Sequence, residues 1–568
     1  MAESPLLRSV GLSLAILSLL VAPISAQVPP PDPRFGAVDA FRDPVAAAEA
    51  GVGWERILLY WSHVQPSGPG EWNEFHLSER DGWLAQAESA GREIVGLLID
   101  TPAWATEGLP KCGVPRGLEL PVDDPGNVWA TFVRQIVQRY SGRIRHWIIW
   151  NEPDIARDSF GVQWCGSVDE YYQLLKVAYL AARQADPNVT IHLAALTFHH
   201  DSAYLDRFLD VATKDPSGPE HNHYFDVVTL HIYFQTETVP AIVDNARASL
   251  TAYGMSKPIW INETNAPSNA DPPYWVLPEA NFDVTLQDQA AFLLQSFALG
   301  LSRGVERIAV YRWVDNEPRP GEEPFGVIRS DYSRRPAYDA YRLITTHYAG
   351  TTAAREERQL LYTVVTLDRG SHTTRVLWAS TQAGATVSLP AVASQAQLIT
   401  QTGTEQVIEP ALGRYTLDLP GARCPPVSPE SAIPHPPCII GGPTFLLIEE
   451  TESTPTPTET PTPIELPTII SPPATPTAPP TATSTPTPVP SPSETPAPPP
   501  PPLSPISTPT PLPPPAATSS PVPTAFPTST PSPTVPPTPP PPAWPMLVGL
   551  AVVMLFAAIV GTMFKNQA

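Results

Sequence analysis

Residues 146–153 read His146-Trp147-Ile148-Ile149-Trp150-Asn151-Glu152-Pro153, an apolar strand that ends in Asn-Glu-Pro. The fold turns on whether that pattern recurs, and it does. Strand-like runs stand at 35–38, 56–61, 93–99, 146–150, 190–195, 226–232, 258–263 and 307–311. Helical periodicity marks 44–51, 78–90, 125–140, 168–184, 203–212, 239–253, 286–302 and 336–346. Strict alternation calls for parallel strands joined by right-handed crossovers. A count of eight predicts an α/β fold, a (β/α)8 TIM barrel over residues 27–350, rather than an open doubly wound sheet. No Gly-x-Gly-x-x-Gly follows the first strand, which argues against a dinucleotide site.

Such barrels carry their chemistry at the C-terminal ends of the strands. Those ends hold Tyr60-Trp61-Ser62-His63, Asp100 through Trp104, Asn151-Glu152-Pro153, His231-Ile232-Tyr233, Asn262-Glu263-Thr264-Asn265 and Tyr311-Arg312-Trp313. Glu152 and Glu263 end strands four and seven, which face each other across a barrel mouth. Paired carboxylates in an aromatic-lined cleft suit glycoside hydrolysis: one protonated to donate to the leaving oxygen, the other ionised to attack the anomeric carbon. Trp61 and Trp104 offer faces for sugar rings, and Asp100 a carboxylate for a hydroxyl. His199-His200 and His221-Asn222-His223 lie in expected loops, so no metal and no cofactor is expected.

Trp150-Asn151-Glu152-Pro153 resembles the Asn-Glu-Pro signature of the clan A glycoside hydrolases, and the match covers about residues 30–350. Residues 56–72, with Trp61, Pro66, Gly70 and Trp72, are similar to family 39-like proteins, with family 5 the other likeness. The resemblance implies a retaining (β/α)8 glycosidase working by double displacement. It implies Glu152 as acid/base, Glu263 as nucleophile, Asn151 on the sugar 2-hydroxyl and Arg56 keeping Glu263 ionised. It further implies His231 and Tyr233 positioning substrate or nucleophile, and Trp313 as the floor of the reacting subsite. The chain departs from the family pattern around Glu263, where Asn-Glu-Thr-Asn replaces the commoner Thr-Glu followed by Trp, Phe or Gly.

The remainder reads as packaging. The 568 residues include 76 Pro and carry a net charge of −22, which excludes a nucleic-acid partner. Arg8, the apolar run 10–21 and Ile24-Ser25-Ala26 predict a signal peptide over 1–26. Short β-rich runs predict a small β-sandwich over 351–449, in support of the barrel. Residues 450–544 are rich in Pro, Thr and Ser and predict a disordered, extended stalk. Residues 545–564 are apolar throughout, Trp544 precedes them and Lys565 follows, so they predict one transmembrane helix with a cytoplasmic tail over 565–568. The expected place is the extracellular face of the cell membrane, as a monomer acting on an oligo- or polysaccharide. Four cysteines in an exported chain suit two disulfides. Cys424 and Cys438 flank a Pro-rich loop, and Cys112 and Cys165 lie in loops that the barrel brings together, but the sequence leaves the pairing open. The alternative function is a catalytically silent glycan-binding scaffold.

Overall fold

The computed structural model describes residues 30–157, 159, 161–271, 282–317, 323–425 and 438–450. The expected leader, the stalk beyond residue 450 and the membrane span lie outside the described residues. Among the described residues, no helix is long and apolar enough to cross a membrane.

Eight parallel strands form the first sheet: β1 (Phe35–Val38), β2 (Trp54–Tyr60), β3 (Glu93–Ile99), β4 (His146–Asn151), β5 (Thr190–Ala195), β6 (Val228–Tyr233), β7 (Ile259–Asn265) and β8 (Arg307–Val310). Their order is β5-β4-β3-β2-β1-β8-β7-β6. Parallel bridges between His192 and Val227 and between Leu196 and Leu230 join the two ends, so the barrel is nearly closed. Each strand leads into an outer helix: Pro44–Glu49, Glu74–Ser89, Val128–Arg139, Val168–Ala185, Tyr204–Lys214, Thr238–Ala252, Leu286–Ser302 and Pro336–His347. Local chemistry sets several helix starts. The Asn73 and Asn127 side chains accept from the third backbone N–H beyond them, while Ser167 with Glu170 and Thr285 with Asp288 form capping boxes. The Asn73 cap explains why the second long helix begins earlier than its apolar periodicity suggests.

Large indoles fit into the barrel where the neighbouring strand spares a side chain. A Cβ on Gly36 would lie 2.2 Å from the Trp54 ring, and one on Gly96 would lie 2.7 Å from Trp147. Both positions therefore need glycine for the packing, because real Cβ contacts do not approach so closely.

The second body is antiparallel: β9 (Ala353–Arg358), β10 (Tyr362–Asp368), β11 (His372–Ala379), β12 (Ala385–Pro390), β13 (Ala396–Thr400), β14 (Glu405–Ile408), β15 (Arg414–Leu419) and β16 (Phe445–Glu450). It departs from the small sandwich expected from the short β-rich runs, because two strands are added. One sheet has six strands in the order β14-β13-β16-β11-β10-β9, and β12 pairs only with β15. The two added strands, β9 and β14, are the edges. Their Ala-Ala-Arg-Glu-Glu-Arg and Glu-Gln-Val-Ile sequences are largely exposed and lack the apolar alternation that marks a half-buried strand. Val387, Leu389, Tyr415 and Leu419 of the ribbon cover one face of the sheet. The other face, through Val365, Val376, Trp378 and Leu446, joins the barrel core. Helix Leu286–Ser302 is consequently buried on all sides, and Gln295 within it bonds Gly442 O and Thr444 Oγ1 at 3.0 and 2.9 Å. A helix apolar all round needs such a second cover.

Both cysteine pairs are disulfides: Cys112–Cys165 with Cα atoms 5.0 Å apart, and Cys424–Cys438 with Cα atoms 4.3 Å apart. The first separation lies within the usual range for the bond and the second just below it.

Candidate active site

β2 delivers Arg56, β4 delivers Asn151 with Glu152 next to it, β6 delivers His231 and Tyr233, and β7 delivers Glu263. The pairing of β6 with β7 passes from Leu230–Ile261 to His231–Glu263, so Asn262 is an extra residue in β7. Bulges of this kind re-aim a side chain, and here the result sets Glu263 beside His231. Glu152 has a left-handed backbone (φ 44°), which turns the chain out of the strand just where the carboxylate is needed.

Glu263 is 5% exposed. Arg56 Nη2 donates to its Oε1, the Tyr233 hydroxyl donates to its Oε2, and His231 Nε2 lies 3.5 Å from Oε1. Burial alone would raise its pKa. The Arg56 charge, then His231 and the Tyr233 bond, outweigh burial and hold Glu263 below the usual carboxylate range. Arg56 stays protonated for the reciprocal reason: burial acts against its charge, but Glu263 pushes its pKa up.

Glu152 is more open, with 16% of its side chain exposed. Its Oε1 meets His231 Nδ1 at 2.6 Å, and its Oε2 accepts from Gln163 Nε2 at 3.1 Å. One oxygen of each glutamate and one ring nitrogen of His231 lie within 4.8 Å of one another. Atoms this close could also ligate a cation, but Arg56 already supplies the balancing positive charge. The arrangement sets a buried, ionised carboxylate beside a reachable one, as acid/base and nucleophilic chemistry at a single carbon requires.

The other expected residues divide. Asn151 is buried, gives its amide to Gln163 Oε1 at 3.2 Å and keeps a buried Oδ1 with no partner. Asp100 is buried at the end of β3. Its Oδ2 accepts from Ser62 Oγ at 2.6 Å, and its Oδ1 is unpartnered. Trp104 is partly buried, with its indole N–H on Gln65 O at 2.8 Å and its ring edge-on to Trp61.

Two expectations need correction. Trp61 is fully buried and stacks on Phe132 at 4.9 Å, so it has no face for a sugar. Trp313 is also fully buried: its N–H reaches Asp43 O at 3.2 Å, and its ring packs among Tyr338 and Tyr341. β8 ends at Val310, and by Trp313 the chain has turned back onto the outer layer. Tyr311 instead lies toward the carboxylates, with its ring edge-on to Tyr233 at 5.9 Å. Burial raises its hydroxyl pKa, and the Glu263 charge raises it further.

Sequence reasoning placed Tyr311 and Arg312 at a strand end without giving either a role, and it missed Gln163 and the Arg312–Asp39 ion pair at 2.7 Å. The roles of Tyr311 and Arg312 were findable, since both follow a strand end. Gln163 had no signal, because it lies in an irregular loop.

Residues 124–322 match the family model described as "Glycosyl hydrolase catalytic core". That segment contains Glu152, His231 and Glu263, while Arg56 and Asp100 precede it. Among solved structures, the chain is similar to a family 39 glycoside hydrolase from Bacteroides cellulosilyticus WH2 (17% identity, TM-score 0.55, 74% of this chain and 81% of that chain). It is also similar to a family 30 endoxylanase from Clostridium papyrosolvens C71 (12%, TM-score 0.49, 74% and 97%). A third is a monomeric β-xylosidase from Caulobacter crescentus CB15 (15%, TM-score 0.47, 74% and 97%). At 17% identity the first likeness is one of fold. No curated protein matches the chain. A catalytic-core match that spans both glutamates, on a barrel of this topology, supports a glycosidase.

Proposed function

We propose that the protein is an exported, membrane-tethered retaining glycosidase that cleaves O-glycosidic bonds of an oligo- or polysaccharide by double displacement. The carrying observation is the approach of Glu152 and Glu263 to within 4.8 Å, with Glu263 held ionised. Retaining enzymes keep their carboxyl groups about 5–5.5 Å apart, whereas inverting ones leave about 6.5–9.5 Å for a water. An approach of one oxygen from each glutamate to within 4.8 Å favours the shorter separation.

In this reading Glu263 attacks the anomeric carbon while Glu152 gives its proton to the departing oxygen, leaving a glycosyl ester on Glu263. Glu152, now a carboxylate, takes a proton from water, and that water's oxygen displaces Glu263 with net retention. Arg56 and Tyr233 neutralise the nucleophile before attack and receive its oxygen again on release. Asn151 Oδ1 and Asp100 Oδ1 are free to accept from sugar hydroxyls. The apolar run 10–21 and the span 545–564 support export and tethering, with the Pro-rich segment as the spacer between anchor and barrel.

Product analysis on aryl glycosides and polysaccharides tests the reading. The expected result is turnover with retained anomeric configuration, abolished in Glu152→Ala and Glu263→Ala. Inverted products would overturn the mechanism, and glycan binding without turnover would leave only a scaffold.

A further inference from the structure

Among its described residues, the segment joining β4 to helix Val168–Ala185 carries no regular element, yet it returns to the mouth at Gln163. Gln163 is bonded to each of Trp150, Asn151 and Glu152. Its backbone carbonyl accepts from Trp150 Nε1 at 2.7 Å, its Oε1 accepts from Asn151 Nδ2 at 3.2 Å, and its Nε2 donates to Glu152 Oε2 at 3.1 Å. The amide accepts from Asn151 through its oxygen and donates to Glu152 through its nitrogen at once.

Residues 164–166 are built to hold Gln163 there. Trp164 is buried, lies edge-on to Trp150 at 5.2 Å and gives its N–H to Ser167 O at 3.0 Å. Cys165 is disulfide-bonded to Cys112, and its backbone N–H also donates to Cys112 O at 2.8 Å. A Cβ at Gly166 would lie 2.6 Å from Trp164 and 2.7 Å from Val114, so the loop is packed tightly there. On the far side of the disulfide, Lys111 exchanges two backbone bonds with Thr101, the residue next to Asp100 at the end of β3. A continuous path of bonds thus runs from β3 through the disulfide to the second oxygen of Glu152.

We infer that Gln163 is a positioning residue for Glu152, and that the Cys112–Cys165 disulfide is the anchor that keeps it in place. The inference rests on the reading of Glu152 as acid/base. His231 holds Oε1 and Gln163 holds Oε2, which leaves the carboxyl one orientation toward the leaving oxygen. The Gln163 N–H also stabilises the carboxylate that remains once the proton has moved to that oxygen.

The test is leaving-group dependence on the full chain, with 2,4-dinitrophenyl and 4-methoxyphenyl glycosides of xylose, glucose, galactose and mannose. Dinitrophenolate departs without protonation, whereas methoxyphenolate needs the acid. Gln163→Ala should lower kcat/KM on the methoxyphenyl substrate about 10- to 100-fold, the scale of a misplaced catalytic group, and change it on the dinitrophenyl substrate by under about threefold. Glu152→Gln should show the same split, larger. The Cys112→Ser/Cys165→Ser double variant should show it too, with a lower Tm; if that variant does not fold, Gln163→Ala decides alone. Equal losses on both substrates, or none, in Gln163→Ala would overturn the positioning role while leaving the glycosidase reading intact. A double variant that folds and keeps wild-type kinetics would overturn the anchor. Absence of a split in Glu152→Gln would overturn the acid/base reading, and the inference with it. An unaltered chain that turns over neither these glycosides nor any of the polysaccharides would overturn both as well.

Discussion

The two ends of the barrel are built from the same kinds of side chain and are fitted for opposite tasks. At the mouth, Arg56 pairs with Glu263 and His231 stands between the two glutamates. At the floor, Arg307 pairs with Glu93 at 2.6 Å, His146 approaches Glu93 at 3.3 Å, and His146 meets His192 at 2.9 Å. The floor groups are roofed by Trp260, whose ring lies 4.4 Å from the Arg307 guanidinium and 4.5 Å from the His192 ring. At the mouth, unpartnered oxygens of Asn151 and Asp100 remain. A carboxylate, an arginine and a histidine therefore do not by themselves mark a reactive site. The strand end on which they sit, and the oxygens left over for a ligand, make the difference.

The largest expected effect separates the ends by activity. Glu263→Gln should cost about 10⁴-fold or more in kcat, as loss of a catalytic group that acts in concert with others does. Glu93→Gln should keep kcat within about threefold and lower Tm instead, because it removes a structural ion pair. Parallel kinetics and thermal melts of the two variants check this. A Glu93→Gln enzyme as dead as Glu263→Gln would erase the distinction.

Next comes the response of the fold to acid. Burial lowers the pKa of His146, more than Glu93 raises it, to about 4 from an ordinary 6.5. Burial and then the charge of His146 push fully buried His192 down as well. The unfolded chain therefore binds protons below pH 6.5 that the native floor refuses. The stabilisation is complete above that pH and is lost as pH falls toward about 4. For His146 the loss is about 3 kcal/mol. Urea unfolding at pH 7.5 and pH 4.5 should show it, and His146→Phe should flatten the dependence. An unchanged slope in that variant would assign the acid sensitivity to another group.

Much of this contrast was legible before the fold was known, and the reason is local. Each barrel strand is an apolar run, and the mouth residues come directly after such runs, so Glu152, His231 and Glu263 could be placed together by counting strands. The floor cluster was not legible, because Glu93, His146 and Arg307 open their strands, where a polar residue also reads as the end of a loop. Trp61 and Trp313 were misjudged for a related reason: an aromatic just past a strand can face the cleft or fold back under the outer helix, and only packing decides. Gln163 was invisible because its position depends on a disulfide whose pairing the sequence left open. β9 and β14 were missed because an exposed edge strand has no buried face to write an alternation into its sequence.

The smallest effect is also the finest test of the mouth. Glu263 must be ionised to attack, and its pKa is held down against burial chiefly by Arg56. Activity governed by Glu263 should therefore persist down to pH values below the ordinary glutamate range and fall as pH drops through its lowered pKa. Lysine at position 56 keeps a positive charge but loses the planar fork that reaches Glu263 and His231 together. Arg56→Lys should therefore move the acid limb of kcat/KM upward in pH and cost about tenfold at neutral pH. Arg307→Lys, the same exchange at the floor, should leave the limb where it was. Melting curves recorded across the same pH range keep the limb apart from the acid loss of the fold through His146. An acid limb that moves equally in both variants would mean that the field at Glu263 is set by the charge of the whole barrel, not by the residue beside it.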